Sequence, residues 1–297
     1  MEYCEPETFE ELWDVLDMYG EDGRILAGGT AVVLFMRQGL LSPGGLINLR
    51  HIGDLYGISR ARDGLRIGPL STHAELAEST EVRSEYADLA LTFRKVATPR
   101  IRNVATLGGN LVHADPHLDP PVTLLALDAS VIVRSRGEER ELPLTELFVD
   151  YYETSLAPGE VVTGVRVPSR SPRSGLGFIK FLPRSQDDYA VVDVAAWVQL
   201  TDADVVEDVR LAFGSVGPTV FRAAAAERLL KGERLTPEAL HEAGESAASA
   251  AAPEDDVRGS AAYKRELIKV LLGRAVDRAV EDSLEATHTR AAIGRAP

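Results

Sequence analysis

The chain has 297 residues, of which 45% are apolar and 26% are charged, a composition typical of a folded protein with two domains. The formal net charge of −14 argues against a nucleic-acid partner and against docking on anionic lipid, because both need a basic surface. With Cys4 as its single cysteine, the chain cannot form an internal disulfide, an iron–sulfur cluster or a cysteine-based zinc site. Its acidic first residues and the lack of an apolar run of about 20 residues predict a cytoplasmic protein without a signal peptide or a membrane span.

The first part of the chain has the pattern of a small β-α-β unit. Thr8 and Glu11 have the spacing of a capping box, and apolar residues at helical spacing follow them. The elements predicted next are a strand at residues 24–27, a helix at 31–38 and a strand at 46–49. We therefore predict a first α/β subdomain over residues 1–55.

The pattern from residue 56 onwards predicts a second α/β subdomain, which ends at about residue 170. Its predicted strands lie at residues 56–60, 65–67, 131–136, 140–142 and 161–167, and its predicted helices at 72–78 and 84–96. The glycine- and proline-rich stretch 98–121 has no regular period, and we expect a long loop there. Loops of this length inside a compact domain are usually functional.

The last part of the chain follows an arginine- and proline-rich linker at residues 168–174. Its predicted strands at 177–182, 190–200 and 205–213 precede predicted helices at 221–231, 236–251 and 260–280. Strands followed by helices are typical of an α+β domain. We expect an antiparallel sheet with three helices over residues 175–282, and a frayed tail over 283–297 because that segment is polar and lacks periodicity.

The glycine pair after the first strand is a candidate phosphate site. Its residues are Ile25, Leu26, Ala27, Gly28, Gly29, Thr30, Ala31 and Val32. Backbone N–H groups at a helix start attract an anion such as a pyrophosphate, and glycine lets the anion approach closely. Alone, the pair also fits an ordinary turn. Its spacing differs from the G-x-G-x-x-G fingerprint, which disfavours a Rossmann cofactor domain.

The stretch 98–121 contains a second glycine pair with polar neighbours. Its candidate binding residues are Thr106, Gly108, Gly109, Asn110 and, further on, Asp119. Backbone N–H groups suit phosphate, and a carboxylate suits ribose hydroxyls or a ring N–H, so this mixture indicates a nucleotide cofactor. The alternative is a glycine-rich connection with ordinary turns.

The same stretch places two histidines close to two acids, which suggests a metal site at first sight. The four residues are His113, Asp115, His117 and Asp119. Nearby prolines restrict the backbone, and no further histidine or cysteine cluster completes a ligand set. We therefore expect no metal ion, and Asp119 is the better candidate for a hydrogen-bond acceptor facing a cofactor.

Lys180 lies inside a predicted apolar strand. A lysine in such a place is costly unless its ammonium group faces an anion or solvent. The sequence leaves two interpretations open, a lysine that faces a cofactor and a lysine on the outer face of a half-exposed sheet.

Several segments together resemble the FAD-binding subunits of the molybdenum hydroxylases, such as the medium subunit of aerobic carbon monoxide dehydrogenase and the flavin domain of xanthine dehydrogenase. The segments are AGGTAVVLFMR, TPRIRNVATLGGNLVHADPHLDPP, TSLAPGEVV and RSQDDYAVVDVAA. The likeness runs in order from about residue 5 to residue 280. It implies an α+β protein in which two small α/β FAD-binding subdomains of the PCMH type precede a C-terminal flavin-subunit domain.

The resemblance also implies roles for individual residues. Residues 25–32 would hold the FAD pyrophosphate, residues 106–110 would form a second phosphate-facing loop, and Asp119 would accept hydrogen bonds from the cofactor. Val162 falls at a contact beside the adenine, and Lys180 falls near the flavin ring.

The sequence departs from the family's pattern at three positions. His117 and Pro120 stand where the family often has a small residue and a leucine, and we expect this difference to alter the shape of that loop. Gln186 replaces a charged residue that is common there, so the electrostatics around the flavin could differ.

The function implied by the resemblance is electron transfer within a larger complex. Electrons would come from a [2Fe–2S] cluster on a small partner subunit and leave through FAD to an acceptor such as NAD or a quinone. The substrate would be oxidised at a molybdenum cofactor on a large partner subunit, so we expect no catalytic side chain here. The alternatives are a free-standing FAD-dependent oxidoreductase and a structural subunit that binds no flavin.

Overall fold

The computed structural model of the chain describes residues 1–182, 185 and 187–293. Gln186, one of the departures noted above, lies outside these residues. Sheets of three, five and four strands, with helices packed against them, confirm the predicted α+β fold class. Among the described residues, no helix is long and apolar enough to cross a membrane.

The first sheet is parallel and has the strand order β1-β3-β2. Its elements are β1 (Glu2–Cys4), α1 (Phe9–Tyr19), β2 (Gly23–Leu26), α2 (Thr30–Arg37) and β3 (Gly45–Asn48), with 3-10 turns at Gly20–Asp22 and Gly53–Leu55. The sequence missed β1 because three residues are too few to show an alternating pattern. Thr8 caps α1 as predicted, but Glu11 accepts a hydrogen bond from the N–H of Glu7, so the predicted capping box is only half formed.

The second sheet is antiparallel, in the order β4-β5-β10-β6-β7. Its strands are β4 (Ile58–Ala61), β5 (Gly64–Ile67), β6 (Ser130–Ser135), β7 (Glu138–Pro143) and β10 (Val161–Pro168), and β8 (Phe148–Asp150) pairs with β9 (Glu153–Thr154) in a small ribbon. The helices of this part are α3 (His73–Glu78), α4 (Thr80–Glu85), α5 (Ala87–Lys95), α6 (Pro99–Arg102), α7 (Leu107–His113), α8 (Asp119–Ala126) and α9 (Leu144–Leu147).

The prediction of a long loop at residues 98–121 is wrong, because α6, α7 and the start of α8 lie there. Thr98 and Thr106 cap the first two of these helices with their hydroxyl oxygens, which accept hydrogen bonds from Ile101 N and Gly109 N. Helices this short bury too few residues to show a 3.6-residue period, so the sequence pattern did not reveal them.

The third sheet is antiparallel, in the order β11-β12-β13-β14, and helices follow it as predicted. Its elements are β11 (Ser174–Phe181), β12 (Val192–Leu200), β13 (Val206–Gly214), β14 (Phe221–Arg222), α10 (Ala224–Leu230), α11 (Pro237–Ala250) and α12 (Ala261–Ile293). The tail expected to fray from residue 283 is instead helical as far as Ile293, and residues 294–297 lie outside the described residues. At the start of this segment Ser283 is buried and Leu284 is 41% exposed, so the sequence shows no apolar stripe there.

The third sheet shares a core with the second. Leu176, Phe178 and Trp197 belong to the same buried cluster as the apolar residues of α5, α8 and β10. Polar contacts also join the two parts of the chain. Asp88 of α5 accepts hydrogen bonds from Phe178 N of β11 at 2.8 Å and from Arg278 Nη2 of α12 at 2.6 Å. The first sheet has its own smaller cluster, which includes Leu12, Ile47 and Val161.

Glycines in β11 let α12 pack directly on the strand. A Cβ atom at Gly175 would lie 1.9 Å from Ala279 O, and one at Gly177 would lie 2.2 Å from Ala275 O. These distances are far below van der Waals contact, so any larger residue would push the helix away from the sheet.

We predict that Gly175→Ala lowers the free energy of unfolding by roughly 1–3 kcal/mol, the usual cost of overpacking a core. Gly273→Ala in α12, the helix that packs on Gly175, is the matched control, because its Cβ would meet no atom within 4 Å. That control should be neutral or stabilising by up to about 1 kcal/mol through helix propensity. Denaturant unfolding of both variants checks this, and equal stability of the two would contradict the packing described here.

Candidate cofactor site

The first glycine pair forms a turn from β2 into α2. Gly29 has φ +75°, a left-handed conformation that favours glycine, and it caps the helix. Val33 N makes the first hydrogen bond back along the chain, to Gly29 O. The amide groups of residues 30–32 therefore lack an acceptor within the helix and are available to an anion.

Gly28 allows this turn to pack closely against the backbone of Val104 and Ala105. A Cβ atom at Gly28 would lie 1.9 Å from Val104 O, so glycine is required for the two backbones to meet. Gly109 lies on the other side, where its Cβ would be 3.6 Å from Ala27 Cβ. The structure thus brings the two glycine pairs together, as a shared nucleotide site requires.

The second glycine pair differs from the prediction in one respect, because its backbone N–H groups already have acceptors. Gly108 N donates to Pro69 O at 2.8 Å, and Gly109 N donates to Thr106 Oγ1 at 3.2 Å. Gly108 itself is buried, and its Cβ would lie 2.5 Å from Pro69 Cβ. This segment therefore offers a ligand the exposed Gly109 surface and nearby side chains in place of free amides.

Asn110 and Asp119 are polar side chains with unused hydrogen-bonding capacity. Asn110 Oδ1 and Asp119 Oδ1 are both buried without a hydrogen-bond partner among the described residues. A buried polar atom usually has a partner, and one without it calls for an explanation such as a bound water, ion or ligand. These two oxygens fit a cofactor that brings its own donors, such as ribityl or ribose hydroxyls or a ring N–H.

Asp119 forms a buried ion pair with Lys180. The distance from Lys180 Nζ to Asp119 Oδ2 is 2.9 Å, and the two side chains are 3% and 4% exposed. Lys180 Nζ also donates to Lys95 O at 3.2 Å, at the C-terminal end of α5. The alternative of an outward-facing lysine is therefore wrong. Burial raises the pKa of Asp119 to about 6, although the ammonium of Lys180 opposes this effect.

A third buried ionisable group, Asp193, lies beside this pair and was not among the residues predicted from the sequence. It is opposite Lys180 in the register of β11 and β12, and its side chain is fully buried. Burial and the nearby carboxylate of Asp119 raise its pKa well above the ordinary value. Its position depends on strand pairing, although a single aspartate in the apolar run 190–196 was a signal in the sequence.

His73 is another buried polar residue that the sequence did not single out. Its backbone N–H donates to Ala105 O at 3.0 Å, and its ring stacks on Phe93 with the centroids 5.8 Å apart. Burial, and secondarily the charge of Arg102, lower the pKa of His73 to about 4. His73 is therefore a neutral packing residue beneath the second glycine segment.

The two histidines of the predicted loop point to different neighbours. His117 Nδ1 is 2.8 Å from Asp115 Oδ1, whereas the ring of His113 packs against Phe35 and Tyr152. No group of three or more potential metal ligands occurs in the part of the chain that the structure describes.

The remaining predicted residues pack mainly against the cores of the sheets. Val162 is buried in the main core, so a cofactor contact there would come from its backbone. Ile25 and Ala27 pack against the core of the first sheet, and Leu26 is buried. Pro120 lies in the first turn of α8, where its missing N–H costs nothing.

Comparison with known protein families assigns both halves of the chain. Residues 1–170 match the FAD binding domain in molybdopterin dehydrogenase, and residues 178–279 match the CO dehydrogenase flavoprotein C-terminal domain.

Individual relatives align over nearly their whole length. The nicotine 6-hydroxylase medium subunit of Paenarthrobacter nicotinovorans is 35% identical over 92% of this chain and 95% of its own. The carbon monoxide dehydrogenase medium chain of Hydrogenophaga pseudoflava is 30% identical, and the alignment covers 94% of this chain and 96% of that relative. A chain in the structure of reconstituted CO dehydrogenase from Oligotropha carboxidovorans superposes with a TM-score of 0.91 at 30% identity, covering 95% of this chain and 98% of that one. The chain therefore belongs to the family of FAD-binding medium subunits of the molybdopterin dehydrogenases.

Proposed function

We propose that FAD lies extended across the two glycine pairs, with its pyrophosphate at residues 25–32 and its flavin ring toward Asp119 and Lys180. The residues proposed to hold it are Ile25, Leu26, Ala27, Gly28, Gly29, Thr30, Ala31, Val32, Thr106, Gly108, Gly109, Asn110, Asp119, Val162 and Lys180. The family match over residues 1–170 supports the cofactor. We also infer that residues 1–170 bind FAD and residues 175–282 cover part of the flavin.

The buried pair of Asp119 and Lys180 carries this proposal. Only one carboxylate oxygen of Asp119 is paired with the lysine, and the other is buried without a partner among the described residues. Asp119 therefore has an acceptor left for a ligand, and Lys180 supplies a fixed positive charge beside it. When bound, FAD can accept electrons singly and release them as a pair. The protein residues orient it, exclude water and set the local charge.

We propose that the electrons come from a [2Fe–2S] cluster on a small partner subunit and that a large partner subunit holds the molybdenum cofactor. The relatives named above are medium subunits, which supports an assembly of this kind. Cys4 alone could not ligate a cluster in this chain. NAD or a quinone is the proposed class of final acceptor, and the cytoplasm is the proposed location. A free-standing oxidoreductase is the second candidate, but alignment along nearly the full length of medium subunits favours the subunit role.

Substitution of Gly28 tests the proposed phosphate site. Gly28→Ala should weaken FAD binding about tenfold or more, equal to about 1.4 kcal/mol, because the new Cβ would separate the turn from Val104. Gly53→Ala is the control, because its Cβ would meet no atom within 4 Å. Fluorescence titration with FAD gives both dissociation constants. Equal affinities in two folded variants would place the phosphate elsewhere.

Electron delivery tests the subunit role. In the assembled complex under anaerobic conditions, reduction of the iron–sulfur partner should bleach the visible flavin bands, and NAD or a quinone should restore them. The FAD-loaded chain alone should oxidise no organic substrate that the complex oxidises. Turnover by the isolated chain at the rate of the complex would instead favour the free-standing oxidoreductase.

A further inference from the structure

Asp193 is a buried carboxyl group for which the proposed cofactor site provides no role. Its side chain is fully buried, and among the described residues its oxygens form no hydrogen bond with any residue proposed to hold FAD. Its Oδ2 is 3.4 Å from Ser215 Oγ, and its Oδ1 has no partner among the described residues. The effect on the cofactor that these contacts support is therefore electrostatic, through the charges of its neighbours.

Among the described residues, no positively charged group contacts Asp193. Lys180 lies opposite it on β11 but directs its ammonium group to Asp119 Oδ2 and Lys95 O. From α8 the facing group is Asp119, and from α5 it is Lys95, whose ammonium lies 5.5 Å from the centroid of the Phe178 ring. Two lysines thus lie near Asp119 and Asp193, but the only direct ion pair among these described groups joins Lys180 to Asp119, and Lys95 acts on both carboxyl groups from a distance.

Physical chemistry favours a protonated Asp193 in this setting. A buried carboxylate without an ion pair loses its favourable hydration, and it avoids this cost by holding a proton. The only polar contact found for its side chain among the described residues is the hydroxyl of Ser215, which is a weak substitute for water. With Asp193 protonated, Lys180 and Asp119 form a neutral pair.

We propose that Asp193 carries a proton at neutral pH and that loss of this proton makes the bound flavin harder to reduce, through the charge at Lys180. The proposal rests on the cofactor site described above and makes Asp193 a positioning residue. Ionisation would change the net charge of Asp119, Lys180 and Asp193 from zero to −1. Reduction adds negative charge to the flavin, and a like charge in a medium of low dielectric opposes it.

The midpoint potential of the flavin should depend on pH in a direction that these charges determine. Below the pKa of Asp193 the group is neutral and leaves the flavin potential unaffected. As pH rises through that pKa, the new carboxylate lowers the midpoint potential beyond the ordinary proton dependence of a flavin. Burial places this transition well above the range of an exposed aspartate.

Two measurements on the FAD-loaded, full-length chain test the proposal. At about pH 7, the infrared carboxyl band of protonated Asp193 should appear in the wild type and be absent from Asp193→Asn. In a plot of midpoint potential against pH, the wild type should show an additional downward break that Asp193→Asn lacks. Asp204→Asn is the control, because Asp204 is exposed in the turn beyond the far end of β12 and should leave both results unchanged.

Each part of the proposal can fail separately. Absence of the infrared band from the folded wild type would show that Asp193 is ionised, which overturns the proposal whether or not flavin is bound. A band without any difference between the two potential curves would overturn the coupling to the flavin. A chain that binds no FAD would contradict the proposed function and the coupling together, while the band would still decide whether Asp193 holds a proton.

Discussion

The proposed cofactor site depends on one buried ion pair, Asp119 with Lys180, because this contact joins the first helix turn of α8 to strand β11. Buried ion pairs contribute little net stability, since desolvation of both charges offsets their attraction. Replacing both residues with apolar ones would serve a purely structural role equally well. Their presence alongside an unpaired carboxylate oxygen is better explained by a ligand that needs both a charge and an acceptor.

The rest of the structure holds these two groups at a fixed distance. Two hydrogen bonds join helix α5 to β11. Asp88 accepts one from Phe178 N, and Lys95 O accepts the other from Lys180 Nζ. On its other side, β11 packs through Gly175 and Gly177 against α12. The lysine consequently has little freedom to move, which suits a residue that sets the electrostatic environment of a redox cofactor.

The parts of the proposed site that depend on local sequence could be predicted from the sequence. The contacts between residues far apart in the chain could not. The glycine turn at residues 28–29 and the unusual position of Lys180 are local signals, and both pointed to the site. The helices within residues 98–121 are too short for periodicity, and the acceptor of Gly108 N is Pro69, 39 positions away in the sequence. Asp193 became significant only once strand pairing had placed it opposite Lys180.

The most direct test of the account is a titration of the purified full-length chain with FAD, followed by its visible spectrum. We expect resolved flavin bands that saturate at about one FAD per chain, because the two glycine segments and the Asp119–Lys180 pair form one extended site. A folded chain that leaves the spectrum of free FAD unchanged, alone and in the presence of its partner subunits, would contradict this account.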